Sequence, residues 1–575
     1  MGMTRKWILF VAGLLLMLGG ALLARSIQSA DGVRVTDVAI NTGAGFDLRG
    51  LLYVPRSATT ARRRPAVIFN HGFINSREII APFAIELSRR GFVVLLPDMP
   101  GHGYSGGIVG AADYGGPAAL RYLRSLPFVD RGNIGLAGHS MGGRPAMAAS
   151  VRAPSDYRSV MLVGSVPKYD GKPVQPRNLA IVFGRYEELA ALMWQVPRGG
   201  DVGRSPALQA AFGAAGPVEA ERLYGDLRTG TARRLYMVPS IHSYEHHQRD
   251  SVAAVVDWFQ QTLEGEANAL APEDQRWQLK ELGTALTLLG MFVLLMSALT
   301  LFLELLGAKA AAVANAASAP GRNRDWWLRT VLHTLLPAAA FIPLMSLGQA
   351  VGAGPMFPQL VHNQLLVWAM GTAVLTLPLR LFGPGASLLL GPQFVRQVAA
   401  AVLAVAVAYF ALQVTYTSFG TDARLWMWSF KPLESSRAGI AIPYLTVWFA
   451  FFVLLAQPLA GHLGRGAGVA RDIAVWACVM AGGFVLLAAI NYAHMAITGT
   501  LVTSSVPLLS ILTLQFSVIL AGLGAICALA YRWTGSPIPG AAICALLVTW
   551  YVTVGTANHW AVGFETPVIP FAAAR

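Results

Sequence analysis

The pentapeptide Gly138-His139-Ser140-Met141-Gly142 holds a serine between two glycines, where the apolar run 133–137 passes into a small-residue stretch beginning near Gly143. So sharp a strand-to-helix turn leaves the serine hydroxyl exposed, and the flanking glycines let neighbouring backbone come close. A hydroxyl at its free pKa is a weak nucleophile. It needs an imidazole to take its proton and an acid to orient that imidazole. The chemistry on offer is attack on a carbonyl carbon through a covalent serine intermediate. The sequence holds no HExxH pair, spaced carboxylate set, Walker A loop or dinucleotide fingerprint, so neither a metal nor a cofactor is expected.

Such a turn must be held by a sheet. Short β-rich runs at 35–41, 48–53, 66–70, 92–96, 134–137, 159–163, 179–183 and 235–238 alternate with helical patterns at 78–90, 114–126, 145–152, 187–195 and 251–263. This alternation predicts an α/β fold, a mostly parallel sheet with helices on both faces, over residues 31–265. In the last helix Val252, Val255, Val256, Phe259 and Leu263 share one face, as packing on a sheet requires. The polar stretch 266–281, with Ala271-Pro272-Glu273-Asp274-Gln275 inside it, reads as a linker.

Composition divides the 575 residues into two regimes. Residues 31–280 carry 28 Lys and Arg and 23 Asp and Glu, whereas residues 281–575 carry only 13 and 7. The second half therefore has lipid as its solvent, and membrane lipids are its expected partners. The net charge of +14 is spread through the first domain and the helix flanks rather than gathered in a stripe, which argues against a nucleic-acid partner. All three cysteines, Cys478, Cys527 and Cys544, fall in hydrophobic segments, so the first domain relies on its packed core.

Residues 7–24 form an uncharged apolar run after Arg5 and Lys6, longer than a signal-peptide core, and are read as an uncleaved anchor within segment 1–30. Eight further hydrophobic segments, about 282–306, 330–352, 363–382, 397–416, 439–460, 473–496, 505–531 and 537–556, make an all-α polytopic membrane domain, with prolines in 363–382 and 505–531 that could break them. With the N-terminus inside, the cytoplasmic loops receive Lys309, Arg322, Arg324 and Arg329, then Arg380 and Arg396, Arg465 and Arg471, and Arg532. Nine helices leave the first domain and the tail 557–575 outside the cytoplasm.

Three motifs in order, Asn70-His71-Gly72-Phe73, Pro97-Asp98-Met99-Pro100-Gly101-His102-Gly103-Tyr104-Ser105 and the serine pentapeptide followed by Gly143, resemble the α/β-hydrolase superfamily over about residues 33–263. The resemblance implies a serine hydrolase. It carries the oxyanion-hole N–H groups to Phe73 and Met141. It places the base after the last strand, at His242 with His246 as alternative, and the acid three residues past Gly184, at Glu187, where aspartate is usual. Glu187 and Glu188 could instead be helix-start residues, and Asp170, after the preceding strand, is the substitute acid. His71, His102 and His139 belong to motif loops, where histidines commonly bond to backbone.

Residues 189–234 exceed a minimal crossover and contain Leu192, Met193, Trp194 and Phe212, which could cap an acyl chain but are better read as core. In the membrane half, Asn491 with His494, His362 with Asn363, and His559 sit toward the outer side, where helix-packing bonds compete with substrate capture. Trp426, Trp428 and Phe430 in the outer loop 417–438 suit the headgroup layer. The expected function is hydrolysis of acyl esters, lipid-derived ones among them. An acyltransferase or peptidase would use the same triad, and a transporter or scaffold with a non-catalytic hydrolase-like domain is the alternative of another class.

Overall fold

Strands rich in Val, Ile and Leu and buried on both faces are the mark of a sheet covered by helices, and β3 (Arg64–Asn70), β4 (Val93–Pro97), β6 (Ser159–Val163) and the strand Leu179–Gly184 are buried throughout. The computed structural model describes residues 3–265, 270–308, 323–381, 392–463, 468–556 and 559–560. Lys309, Arg322, Arg465 and the tail other than residues 559 and 560 lie outside the described residues. With β1 (Arg34–Asn41), β2 (Asp47–Val54), β5 (Val129–His139), β7 (Leu179–Gly184) and β8 (Arg233–Val238), the sheet runs β1-β2-β4-β3-β5-β6-β7-β8 and ends on the two-residue strand Leu223–Tyr224. From β4 to β8 the pairing is parallel, and β1, β2 and the last short strand are antiparallel.

Helices Gly116–Ser125 and Gly143–Arg152 cover one face through Leu120, Leu123 and Met147. Helices Ala81–Arg89 and Arg249–Thr262 cover the other through Phe83, Leu87, Val255 and Phe259. The domain thus has the α/β-hydrolase architecture, and the sheet delivers the carboxyl ends of β3, β5, β7 and β8 to one rim. The helix expected at 187–195 covers only Ala190–Trp194, while Trp194 and Phe212, read as core from the sequence, are buried there together with Leu208.

Seven helices among the described residues are long and apolar enough to cross a membrane: Met3–Gln28, Trp277–Leu305, Gln393–Phe419, Arg437–Ala460, Val469–Thr498, Pro507–Thr534 and Ile538–Gly555. The segment expected at 330–352 is a pair, Arg324–Ala339 and Phe341–Val351, bent by 42°. The segment expected at 363–382 begins as a 16-residue helix, Leu360–Leu375. At 1.5 Å per residue this covers about 24 Å, short of the roughly 30 Å hydrocarbon core. The first helix lies tightly against Trp277–Leu305. A Cβ added at Gly20 would stand 2.6 Å from the Gly283 carbonyl oxygen, and one at Gly13 2.6 Å from the Leu294 nitrogen. Small residues let the two backbones touch.

The loop 417–438 folds into a hairpin, Ala423–Leu425 with Trp428–Phe430, in which Phe430 is buried against Trp550 and Trp428 packs on Phe292. Trp426 Nε1 donates to the Ser243 carbonyl in the hydrolase domain at 3.0 Å. The loop's cations reach both halves: Lys431 Nζ lies 3.0 Å from Glu78 of the hydrolase domain, and Arg424 lies 3.3 Å from Glu281 in the first turns of helix Trp277–Leu305. Burial alone would raise the Glu78 carboxyl, but Lys431 and Arg77 hold it well below the usual range.

Candidate active site

Ser140 sits between β5 and helix Gly143–Arg152 with φ of +54°, a left-handed conformation that is uncommon for a residue with a side chain. The neighbouring glycines permit it. A Cβ on Gly138 would lie 1.9 Å from the Gly142 carbonyl oxygen, and one on Gly142 would lie 2.3 Å from that of Asn70. The loop after β3 therefore presses directly on the turn, bringing Phe73 to its rim.

After β8 the chain enters a 3₁₀ turn, His242–His247, and His242 Nε2 comes 2.8 Å from Ser140 Oγ. On the other side of the ring, Nδ1 is 2.8 Å from Glu187 Oε1, which lies to one side of the N–H direction, a close contact that becomes an ion pair when the imidazole takes up a proton. Glu187 precedes helix Ala190–Trp194 instead of starting it. A proton on Nδ1 leaves Nε2 able to accept from the serine. Burial opposes charge on His242, but the Glu187 carboxylate prevails and raises its pKa.

Two further carboxyls stand behind this pair, and sequence reasoning gave neither a role in the site. Glu188 Oε2 accepts from the His242 backbone N–H at 2.7 Å, and Glu245 Oε1 accepts from the Gly184 N–H at 2.7 Å. Burial, with repulsion from Glu187, pushes Glu188 up to about 7 and Glu245 well above the ordinary range. Glu245 thus stands, biased toward its neutral form, beside Glu187, the residue that faces His242. Tyr492, from helix Val469–Thr498, donates its hydroxyl to Glu188 Oε1 at 2.8 Å. No local pattern marks these residues, because what joins them is packing between segments up to 304 positions apart.

The other candidates fall elsewhere. His246 is buried with its ring 4.9 Å from that of His139 and lines the cavity without reaching Ser140. Asp170 is exposed on the turn between Lys168–Tyr169 and Lys172–Pro173, and among the described residues it pairs with no histidine. The motif histidines bond to backbone: His71 Nδ1 donates to Gly72 O at 2.8 Å while its Nε2 accepts from Met99 N–H, His102 Nδ1 donates to Pro100 O, and His139 Nε2 donates to His242 O. Burial keeps all three neutral by lowering their pKa. Met141 follows Ser140 in the turn, and Phe73 faces the cavity.

His139, His242 and Glu245 bring possible metal-ligand atoms within 4.8 Å of one another. Both His242 nitrogens and His139 Nε2 already have partners, so a cation there would displace the Ser140–His242–Glu187 contacts.

A cavity of about 570 Å³ opens on Ser140 and His242. Its opposite wall is made by the membrane half: Gln364 of helix Leu360–Leu375, Met427 of the hairpin, and Leu508, Ile511 and Gln515 of helix Pro507–Thr534. The polar residues singled out in that half are otherwise engaged in packing. His362 bonds Gln359 and Trp448, Asn363 caps Gly352 and Phe357, Asn491 accepts from Thr503, and His494 donates to Thr500 O. His559 pairs its backbone with Gly101.

Residues 65–199 match the model of the alpha/beta hydrolase fold family. Among curated proteins, the polyketide transferase af380 of Aspergillus fumigatus is 30% identical over 192 residues, 30% of this chain and 60% of that protein. The thiohydrolase aneE of Aspergillus aculeatus is 33% identical over 168 residues, 27% of this chain and 50% of that protein. The chain thus spans about half the length of the curated relatives it matches. Among solved structures, Est1E from Butyrivibrio proteoclasticus with ferulic acid bound is 18% identical, covers 39% of this chain and 98% of its own, and has a TM-score of 0.29.

Proposed function

We propose that the α/β-hydrolase domain of this chain is a membrane-integrated serine hydrolase that cleaves acyl esters. The observation that carries the reading is the 2.8 Å contact of His242 with Ser140 Oγ in a cavity beside a buried carboxylate. His242 Nε2 takes the serine proton as Oγ attacks the acyl carbon, and the oxyanion is held by the backbone N–H groups of Phe73 and Met141. Collapse breaks the ester bond, and the leaving alkoxide receives the proton from Nε2. Water then repeats the sequence on the acyl-serine and releases the acid. Glu187 orients the imidazole and stabilises its cationic form.

The seven helices long and apolar enough to cross a bilayer support its being a membrane protein. In the arrangement we favour, the first helix is a retained anchor, the hydrolase domain 31–265 lies outside the cytoplasm, and the linker 266–281 leads into a membrane domain over 282–556. The close Gly13 and Gly20 contacts support retention, since removing that helix would uncover the backbone of Trp277–Leu305. A second reading, discharge of the acyl-serine to an alcohol acceptor, draws support from the transferase among the relatives. Ser140→Ala tests the core of the proposal. Ester hydrolysis and fluorophosphonate labelling should both disappear while the protein still folds in membranes, because an elbow serine makes few packing contacts. Labelling at the wild-type level would move the nucleophile elsewhere.

A further inference from the structure

We propose that the Ser140 cavity is the mouth of an acyl-chain channel running into the transmembrane bundle, so that the hydrolase takes esters of long-chain fatty acids and seats their tails among the helices. The inference rests on the serine-hydrolase reading and adds the substrate class. A second cavity, of about 660 Å³, shares Ile74, Val361, Leu512 and Gln515 with the first. Its remaining wall is aliphatic and aromatic, with Trp368, Phe451 and Phe516 prominent. A third, of about 360 Å³, meets the second across Trp368, Phe451 and Leu520.

Three features point to an alkyl chain as the occupant. First, the lining of helix Pro507–Thr534 runs from Leu508 in the first cavity to Leu523 in the second. At 1.5 Å per residue that is about 22 Å, more than half the roughly 30 Å hydrocarbon core and so deep enough for the chain of one leaflet. Second, polarity is graded. Between the first two cavities, the Ser140 end holds Gln364, buried with its Oε1 unpaired among the described residues, whereas the second cavity has only Gln515 as an amide side chain, at the junction; His333 and Thr372 enter only in the third, past the aromatic stretch. An amphipathic ester, polar at the carbonyl and apolar beyond it, matches that gradient. Third, Ile74 stands at the junction with φ of +53°. A β-branched residue is an outlier there, and such strain clusters at ligand-binding positions.

The test uses the full-length protein in nanodiscs and p-nitrophenyl esters with acyl chains of increasing length. Wild-type kcat/KM should rise with chain length. Ile519→Trp and Val552→Trp, both in the second cavity and away from Ser140, should lower it at least tenfold for the longest esters and leave the butyrate ester within about twofold. Equal losses at all lengths, or undiminished long-chain turnover in both variants, would overturn the channel while leaving the hydrolase reading intact.

A palmitoyl probe with a terminal diazirine reads occupancy without turnover, and serves if a tryptophan variant fails to fold. Crosslinks in Ser140→Ala should fall on peptides containing Trp368, Phe451 or Phe516. Crosslinks confined to outward-facing residues such as Phe410 and Val485 would sink the proposal. Interior crosslinks in a protein that hydrolyses no ester would instead keep the channel and discard the hydrolase. Fatty-acid release from phospholipid vesicles would identify a bilayer lipid as the chain's source, and turnover of dispersed esters alone would identify a soluble one.

Discussion

His242 is held between opposing influences: burial disfavours its charged form and the adjacent Glu187 favours it, with the second prevailing. A base must be neutral to accept the serine proton, and its pKa here is raised above the ordinary 6.5. Activity should therefore fall as pH drops through a midpoint above 6.5. Glu187→Gln keeps the shape and removes the charge, so maximal turnover should drop by about 10²- to 10⁴-fold. The same change removes the main raising influence, so the acid midpoint should move down. Asp170→Asn, on its exposed turn, should match the wild type in both measurements. A pH–rate profile of the three proteins decides, and a collapsed rate for Asp170→Asn beside a near-normal Glu187→Gln would exchange their roles.

The pair Met3–Gln28 with Trp277–Leu305 packs backbone against backbone at its glycines. Gly19 and Gly20 are neighbours in the chain with opposite surroundings. A Cβ at Gly19 would meet nothing within 4 Å, whereas one at Gly20 would collide with backbone that cannot rotate away. Gly20→Leu should cost about 1–3 kcal/mol or part the helices, and Gly19→Leu should be nearly neutral. Thermal melts of both in the same detergent make the comparison. Equal melting temperatures would show that the two helices do not lie together as described.

At the scale of the whole molecule, the membrane half completes the hydrolase site instead of only tethering it. Its helices form one wall of the cavity, Tyr492 bonds Glu188 behind the histidine, and the hairpin neutralises Glu78. The proposed orientation follows from Lys and Arg gathered in alternate loops, and it is open to direct test. In a chain with Cys478, Cys527 and Cys544 replaced by alanine, a cysteine at the exposed Thr60 should react with an impermeant maleimide in intact cells, and one at the exposed Asn323 only after lysis. The reverse pattern would invert the topology.

The sequence by itself determined the sheet, the elbow and the division between a charged half and an oily one. These rest on short-range signals: alternating runs of β-formers, glycines flanking Ser140, and a fall in charge density after residue 280. The order of the motifs was enough to single out Ser140, His242 and Glu187 as candidates, and tertiary structure brought them within hydrogen-bonding distance. Only that structure decided that Asp170 faces solvent, that Glu188 backs His242 while Glu245 backs His139, and that Trp194, Leu208 and Phe212 are buried in the core. It also paired the aromatics of loop 417–438 with partners more than a hundred residues away, Ser243, Phe292 and Trp550, that no local pattern encodes. Burial and pairing across the two halves are properties of the packed chain, and the cavity that joins Ser140 to the bundle exists only where both halves meet.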